Sequence, residues 1–301
     1  MENVSFNLIS DKKKAEELWQ HFSKNKTAYD DWQFRNAFHA PTDFPLYFYS
    51  GSIKNELIGF LPLQHNTKKN FLEFFAGSFM EYNHVFLKDG FEEYANNFYL
   101  HVLKNAQKNI LLRDMSDTTP DLLDVEEYDS TFTLKLKEFG SLESLLEKRF
   151  SSKSRGNLRK KMRKIDENNI EIIENNLEDI DLLMDLNQKR FGEESSFADK
   201  SQRESFHLLL NLPLKWLLQT FIVNGKKESV SLSLIYKNIF MYIMAGTDLE
   251  NVPNLGSYVI TKVMEKAFAS EADILDAGRN PSGWKDRWHL DAAPAYRLVQ
   301  S

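Results

Sequence analysis

The chain contains no cysteine. That excludes disulfides, thiolate metal ligands and a cysteine nucleophile, and it fits a reducing compartment. It has no apolar run near the ~20 residues that would span a bilayer. Its start, Met1-Glu2-Asn3-Val4-Ser5, has no basic region and no long apolar core, so no secretory signal is read there and the expected location is the cytoplasm. The seven histidines are scattered, none at His-x-x-x-His or carboxylate spacing, so no metal site is expected. A Walker loop, a Gly-x-Ser-x-Gly elbow and a Gly-x-Gly-x-x-Gly motif are all missing. Excess positive charge is missing too: the net charge is −6, so nucleic-acid contact would need a local patch.

What is present is ordinary soluble-protein material. The 301 residues suit two packed units or one large one, and 42% are hydrophobic, with 23 phenylalanines to fill a core. In the first half, Phe6–Ile9 reads as a strand, and Ser10 or Asp11 caps a helix through Ala15, Leu18, Trp19 and Phe22. A short helix is expected over 30–38. A β-hairpin follows, Leu46–Tyr49 and Leu57–Leu63, with its turn at Gly51 to Asn55. Asn66–Asn70 is a second turn and Phe71–Phe75 a third strand, giving an antiparallel meander. The polar group Glu81-Tyr82-Asn83-His84 fits either a surface loop or a pocket wall. A helix over 94–106, a strand at 110–112 and an alternating strand at 131–136 complete this half.

Glu138 to Ser141 marks the expected boundary, giving units 1–138 and 139–301. Beyond a helix capped by Ser141 comes a basic stretch in which seven of the twelve residues from Lys153 to Lys164 are Lys or Arg. Leu158, Met162 and Ile165 form its narrow apolar stripe, and Arg155, Arg159 and Arg163 lie four apart. Three readings fit: a solvated face paired with Glu167 and Glu171, a patch for an anionic ligand such as a phosphate-bearing cofactor (Arg155, Arg159), or RNA contact. The patch has no aromatic residue for base stacking. The rest reads as a strand at 170–173, helices over 180–191 and 197–210, strands at 218–223, 230–236 and 239–245, a helix over 255–267 and a strand at 273–276.

Several segments of this half carry a resemblance. They are Ser152-Lys153-Ser154-Arg155-Gly156-Asn157-Leu158-Arg159-Lys160, the strand pair Ser229 to Ala245, Asn254-Leu255-Gly256-Ser257, and Asp276-Ala277-Gly278-Arg279 through Trp284-Lys285-Asp286-Arg287-Trp288. In order and spacing they resemble the GNAT superfamily, in its FemAB-like or CelD-like acyltransferase branch. Gly59–Leu63 and Glu81–Asn83 extend a weaker likeness into the first half. The resemblance implies an α+β fold of two GNAT-like halves, each a mixed, largely antiparallel sheet flanked by helices. It implies an N-acyltransferase that moves an acyl group from acyl-CoA, with acetyl-CoA the simplest case, to an amine of a small molecule, sugar or peptide. Asn254, Leu255, Gly256 and Ser257 would form the cofactor turn, in which Asn254 stands where the family's first glycine is usual. FemAB-type relatives take their acyl group from an aminoacyl-tRNA in cell-wall precursor synthesis, so a tRNA partner is the alternative. A non-catalytic ligand-binding protein of the same fold is another.

Acyl transfer to an amine asks the protein for alignment, a polarised carbonyl and a destination for a proton. Asp276 or Glu81 could take that proton, Lys285 could pair with an anionic group, and Tyr242 could donate a hydrogen bond. Tyr82, Asn83, Arg279, Trp284 and Trp288 are the candidate substrate contacts. Against these stand structural readings: Asp276 as a turn cap, the tryptophans as packing, Lys285 with Asp286 as a surface pair, and His289 as structural.

Overall fold

Local capping sets many of the element starts in the computed structural model, which describes residues 2–116 and 125–300. Met1, where a signal was sought, lies outside the described residues. The chain divides into two compact units, one of Met1–Ser130 with Pro294–Ser301 and the other of Thr131–Ala293. The division falls a few residues before the expected boundary, and it returns the last residues of the chain to the first unit.

In the first unit, β1 (Ser5–Ile9) leads to α1 (Lys12–Phe22), whose N-cap is Asp11 rather than Ser10. The helix expected over 30–38 is α2 (Trp32–His39); it starts later because the Asp31 side chain accepts from Phe34 N–H and caps it there. Strands β2 (Leu46–Ile53) and β3 (Glu56–Asn66) form the hairpin. Its turn is only Lys54-Asn55, both at positive φ, and pairing runs on through Gly51 opposite Gly59. Gly51 belongs in the strand because a Cβ there would lie 2.5 Å from the Phe98 ring. Next come β4 (Phe71–Phe74), the short β5 (Phe86–Leu87), α3 (Ala95–Asn105) and β6 (Asn109–Met115). Within this unit the sheet order is β1-β2-β3-β4-β6, with β5 on β3. One face packs on α3 through Leu63, Leu72, Phe74, Phe98, Ile110 and Leu112. An aromatic cluster around Trp19, Trp32, Phe48, Phe60 and Phe75 seals α1 and α2. Arg35 is buried beside it, donating to the carbonyls of Tyr29 and Phe75, and burial pushes its guanidinium down to about 10.

The second unit takes in the end of β7 (Val125–Lys135), then α4 (Leu142–Arg149), capped by Ser141 as expected, and the basic helix α5 (Ser152–Asp166). These are followed by β8 (Ile170–Glu174), α6 (Ile180–Phe191) and α7 (Lys200–Leu210). The helix expected from residue 197 begins at Lys200, because Asp199 caps it and Phe197 belongs to the preceding 3₁₀ turn. Strands β9 (Lys215–Val223), β10 (Lys226–Tyr236) and β11 (Ile239–Thr247) form an antiparallel meander. Then come α8 (Leu255–Ala269), β12 (Ile274–Arg279), the short α9 (Trp284–Arg287) and β13 (Asp291–Gln300). The strand order is β7-β12-β11-β10-β9-β8, antiparallel except for the β11–β12 pair. Tyr296–Gln300 of β13 pair antiparallel with β6 of the first unit. The core of the second unit joins α4, α5 and α8 to the sheet through Leu145, Ile165, Phe221, Phe240, Val263 and Leu275.

Candidate active site

β11 and β12 pair in parallel at Ile239–Ile274, Phe240–Leu275 and Met241–Asp276, and nowhere beyond. β11 continues to Thr247 against β10. β12 stays with β7, its next pair after Asp276–Thr133 being Arg279–Thr131. The two strands therefore part after Met241. A β-bulge helps: Leu232 faces Met244 and Ser233 faces Tyr242, which leaves Ile243 extra. A bulge bends its strand and sharpens the twist, here where β11 leaves its neighbour. Residues 242–245 are partly exposed although Phe240, Met241, Gly246 and Thr247 around them are buried. Such a slot inside a sheet leaves backbone N–H and C=O groups on one edge of β11 in need of partners.

Tyr242 and Trp284 meet at this slot. Their ring centroids are 5.6 Å apart at 87°, an edge-to-face contact. Burial holds the Tyr242 phenol above its ordinary range, against the opposing charge of Arg190, so it stays protonated at neutral pH. Trp288 does not join them. It is buried in the core, edge-on to Phe150 at 5.6 Å, which corrects its reading as a pocket wall. The His289 ring also meets Phe150 edge-to-face, at 4.9 Å, and its carbonyl accepts from Arg149, in keeping with a structural role.

Asp276 and Lys285 hold the turn after β12. Asp276 Oδ1 accepts from Gly278 N–H at 2.8 Å, closing an Asx turn that ends on Gly278, itself at φ +66°. Lys285 is buried rather than part of a surface pair with Asp286; its Nζ donates to Gly278 O at 3.0 Å and to Arg279 O, and lies 5.1 Å from the centre of the Phe132 ring. Arg279 supplies a carbonyl there and is half-buried at the end of β12.

β11 leads into α8 through a turn closed by Asp248. The Asp248 carboxylate accepts from Glu250 N–H, Asn251 Nδ2 and Lys189 Nζ, and the Lys189 contact keeps it below the usual carboxylate range. Asn254 sits at φ +72°, the left-handed geometry that the family's glycine would supply. Its carbonyl accepts from Ser257 and Tyr258 N–H, and Leu255 N–H donates to Val252 O. A Cβ on Gly256 would meet only Leu249 Cδ2, at 3.5 Å, so the helix start is uncrowded.

Asp248 was not read from the sequence, nor was Asn187. Asn187 is buried on α6, donates to Ala245 O at 2.9 Å and accepts from Ser195 Oγ. Its position four residues after the buried Leu183 was the available signal, a polar side chain on an apolar helix face. Gly246 lets α6 approach, since a Cβ there would lie 2.2 Å from Leu183 O.

The basic helix divides its charges. Arg155 donates to Phe150 O at 2.7 Å and caps the end of α4, and Arg159 pairs with Glu143. The pairs expected with Glu167 and Glu171 do not form among the described residues, because those side chains lie beyond the helix's last turn and on β8. Lys160, Lys161, Arg163 and Lys164 are exposed and carry no ion pair among the described residues. The Tyr258 hydroxyl donates to Asp166 Oδ1 at 2.8 Å and ties this end of α5 to the first turn of α8. Glu81, Tyr82 and Asn83 belong to the first unit; Glu81 and Asn83 are buried and Asn83 bridges backbone there.

Residues 152–286 match the model of the acetyltransferase (GNAT) domain family. Over the whole chain, solved structures share the fold. L-PGS from Bacillus licheniformis superposes with a TM-score of 0.62 at 10% identity, covering 97% of this chain and 92% of that one. FemX does so with a TM-score of 0.60 at 10% identity, covering 98% and 97%. A tandem GNAT protein from the clavulanic acid biosynthesis pathway does so with a TM-score of 0.60 at 7% identity, covering 99% and 98%. Among curated proteins no sequence match is found. Residues 152–286 thus match an acetyltransferase (GNAT) domain, and over its whole length the chain shares the fold of FemX and of the tandem GNAT protein.

Proposed function

We propose that this protein is an N-acyltransferase that moves an acyl group from acyl-CoA to the amine of a small molecule, sugar or peptide. The observation that carries the reading is the parting of β11 from β12 after Met241, continuous through Asp248 with the left-handed turn that opens α8. Bound there, acyl-CoA would supply an activated acyl carbonyl. The Asn254–Ser257 turn, uncrowded and at the positive end of a 15-residue helix, suits its pyrophosphate. The open edge of β11 suits its amide-bearing arm. Tyr242 stays protonated and is the proposed donor of a proton to the leaving sulfur, while the incoming amine releases its own proton to water. Asp276 and Lys285 then act as positioning residues, holding the end of β12 and α9 so that Trp284 closes on Tyr242. The cytoplasm is the proposed location, supported by the cysteine-free composition.

A second reading rests on Lys160, Lys161, Arg163 and Lys164, a free basic edge on α5. It is a FemAB-type transfer from an aminoacyl-tRNA in cell-wall precursor synthesis. Thermal unfolding with acetyl-CoA and longer acyl-CoAs separates the two. A ligand held only by the folded state at ~100 times its dissociation constant adds roughly 2.7 kcal/mol. A clear shift supports acyl-CoA as donor. No shift with any acyl-CoA, together with tRNA binding that weakens steeply as salt rises, would replace it with the second reading.

A further inference from the structure

Helix α6 outruns the closed part of the sheet it packs on. Its buried side chains, Ile180, Leu183, Met184 and Asn187, recur at helical spacing and face the sheet. The same stripe next reaches Arg190 and Phe191, yet both are exposed, Phe191 by 44%. The parting of β11 from β12 accounts for the change. Leu183 and Leu186 lie over Gly246, where a Cβ would come within 3 Å of Leu183 O and Leu186 Cβ. Asn187 follows over Ala245 and Met244, donating to Ala245 O at 2.9 Å and lying 3.5 Å from Met244 Sδ. α6 therefore runs back along β11. A helix rises about 1.5 Å per residue and a strand about 3.3 Å, so the next turn of α6 comes level with Tyr242 and Ile243, where the sheet has opened. The Tyr242 phenol feels the Arg190 charge, which accords with that placement.

Arg190 is braced but not engaged. Its guanidinium carbon lies 4.8 Å from the centre of the Phe191 ring, a cation–π contact. It makes no hydrogen bond or ion pair among the described residues. The charges around it are otherwise occupied or do not reach it. Lys189 pairs with Asp248 and Glu250. Arg203 on α7 donates to Asp185 and Gln188. Glu193 and Glu194, in the turn after α6, are exposed and do not pair with Arg190 among the described residues. One uncommitted positive charge thus stands at the slot. A fixed cation does two things to an arriving amine. It disfavours the ammonium form, which leaves the nucleophile neutral as acyl transfer requires. It also repels an acceptor whose only charge is that ammonium, and attracts one that carries an anion of its own. A guanidinium fork offers paired donors that match the oxygens of a carboxylate or phosphate.

We propose that Arg190, braced on Phe191, selects acceptors whose amine is accompanied by an anionic group, a carboxylate or a phosphate, and holds that group as the amine enters the parting of β11 and β12. The proposal rests on the acyl-transfer reading of this slot and names its acceptor class. Two matched pairs test it: L-alanine against L-alaninamide, and glucosamine 6-phosphate against glucosamine. CoA release from acetyl-CoA is followed with a thiol reagent, which a cysteine-free protein leaves unreacted. In at least one pair the anionic member should exceed the member lacking the anion by about tenfold or more in kcat/KM, the alanine pair reporting a carboxylate and the glucosamine pair a phosphate. Arg190→Gln should cut that ratio to about twofold or less. Its melting temperature should hardly move, since the side chain has no hydrogen bond or ion pair to lose among the described residues. Equal use of both members in both pairs would overturn the proposal, and so would a ratio that Arg190→Gln retains. Where none of the four turns over, calorimetry on the protein with CoA bound reads the same ratio as affinity, and no binding of either anionic amine up to about 10 mM overturns the proposal. A melting curve that acetyl-CoA leaves in place counts against the donor reading alone; calorimetry on the free protein then reads the anion preference and its loss in Arg190→Gln.

Discussion

Met241 pairs with Asp276, and it is the last residue of β11 to pair with β12. One residue on, Tyr242 leaves the ladder and meets the edge of Trp284. The ends of two parallel strands thus become a slot with an aromatic gate, while the antiparallel neighbours on either side stay paired. Parallel neighbours can separate in this way because each keeps a partner on its other side, β11 with β10 as far as Thr247 and β12 with β7 again at Arg279.

Tyr242→Phe keeps the ring against Trp284 and removes only the hydroxyl. The melting temperature should hardly move. Turnover of acyl-CoA should fall about 100-fold or more, the usual scale for losing a positioned proton donor. Steady-state kinetics check this, and an unchanged kcat would remove Tyr242 from that role.

Asp276 separates positioning from proton transfer. Asparagine at 276 still offers an oxygen to Gly278 N–H, so a positioning residue predicts activity of Asp276→Asn within about tenfold of wild type and a far larger loss in Asp276→Ala, with the pH profile of Asp276→Asn unmoved. Equal, severe losses in both variants, on the scale of about 100-fold, would make Asp276 the base instead.

Gly246→Ala tests the contact between β11 and α6. The new methyl would fall within 3 Å of Leu183 O and Leu186 Cβ, and one of those atoms is backbone. We expect a loss of about 3 kcal/mol or more in urea unfolding, at the upper end of overpacking costs. A loss under about 1 kcal/mol would mean that α6 retreats freely.

Alkaline stability reports on Tyr258. Burial and the adjacent Asp166 hold its phenol above the ordinary value of about 10. The folded state therefore keeps a proton that the unfolded state releases. The stabilisation is complete below that ordinary value and is lost as pH rises beyond it; Tyr242 adds to the effect in the same sense. Tyr258→Phe should cost about 1.5–3 kcal/mol at neutral pH, the range for a hydrogen bond to a charged group, and should make stability above pH 10 fall less steeply. A pH profile parallel to wild type would count against the raised phenol.

Much of this was legible residue by residue. Asp11, Asp31 and Ser141 announce helix starts because a cap acts within three residues. The left-handed tolerance of Asn254 is a property of one side chain, and the structure uses it. The turn at Lys54-Asn55 was misplaced because the glycine at 51 serves close packing by Phe98, a contact made 47 residues away. Arg155 resembled a ligand contact, yet it closes the end of α4, since a carbonyl from the preceding helix lies within its reach.

By itself the sequence determined most element types, because periodicity, caps and turn residues act over a few positions; its resemblance to GNAT acyltransferases implied the two-halved architecture and the segments of the proposed site. The tertiary structure alone decided where β12 leaves β11, that Trp288 is core while Trp284 reaches Tyr242, and that Arg190 and Phe191 stay exposed on a helix stripe that is otherwise buried. Alternation along a strand says which face is buried; it does not say which strand lies beside it, or where that pairing stops.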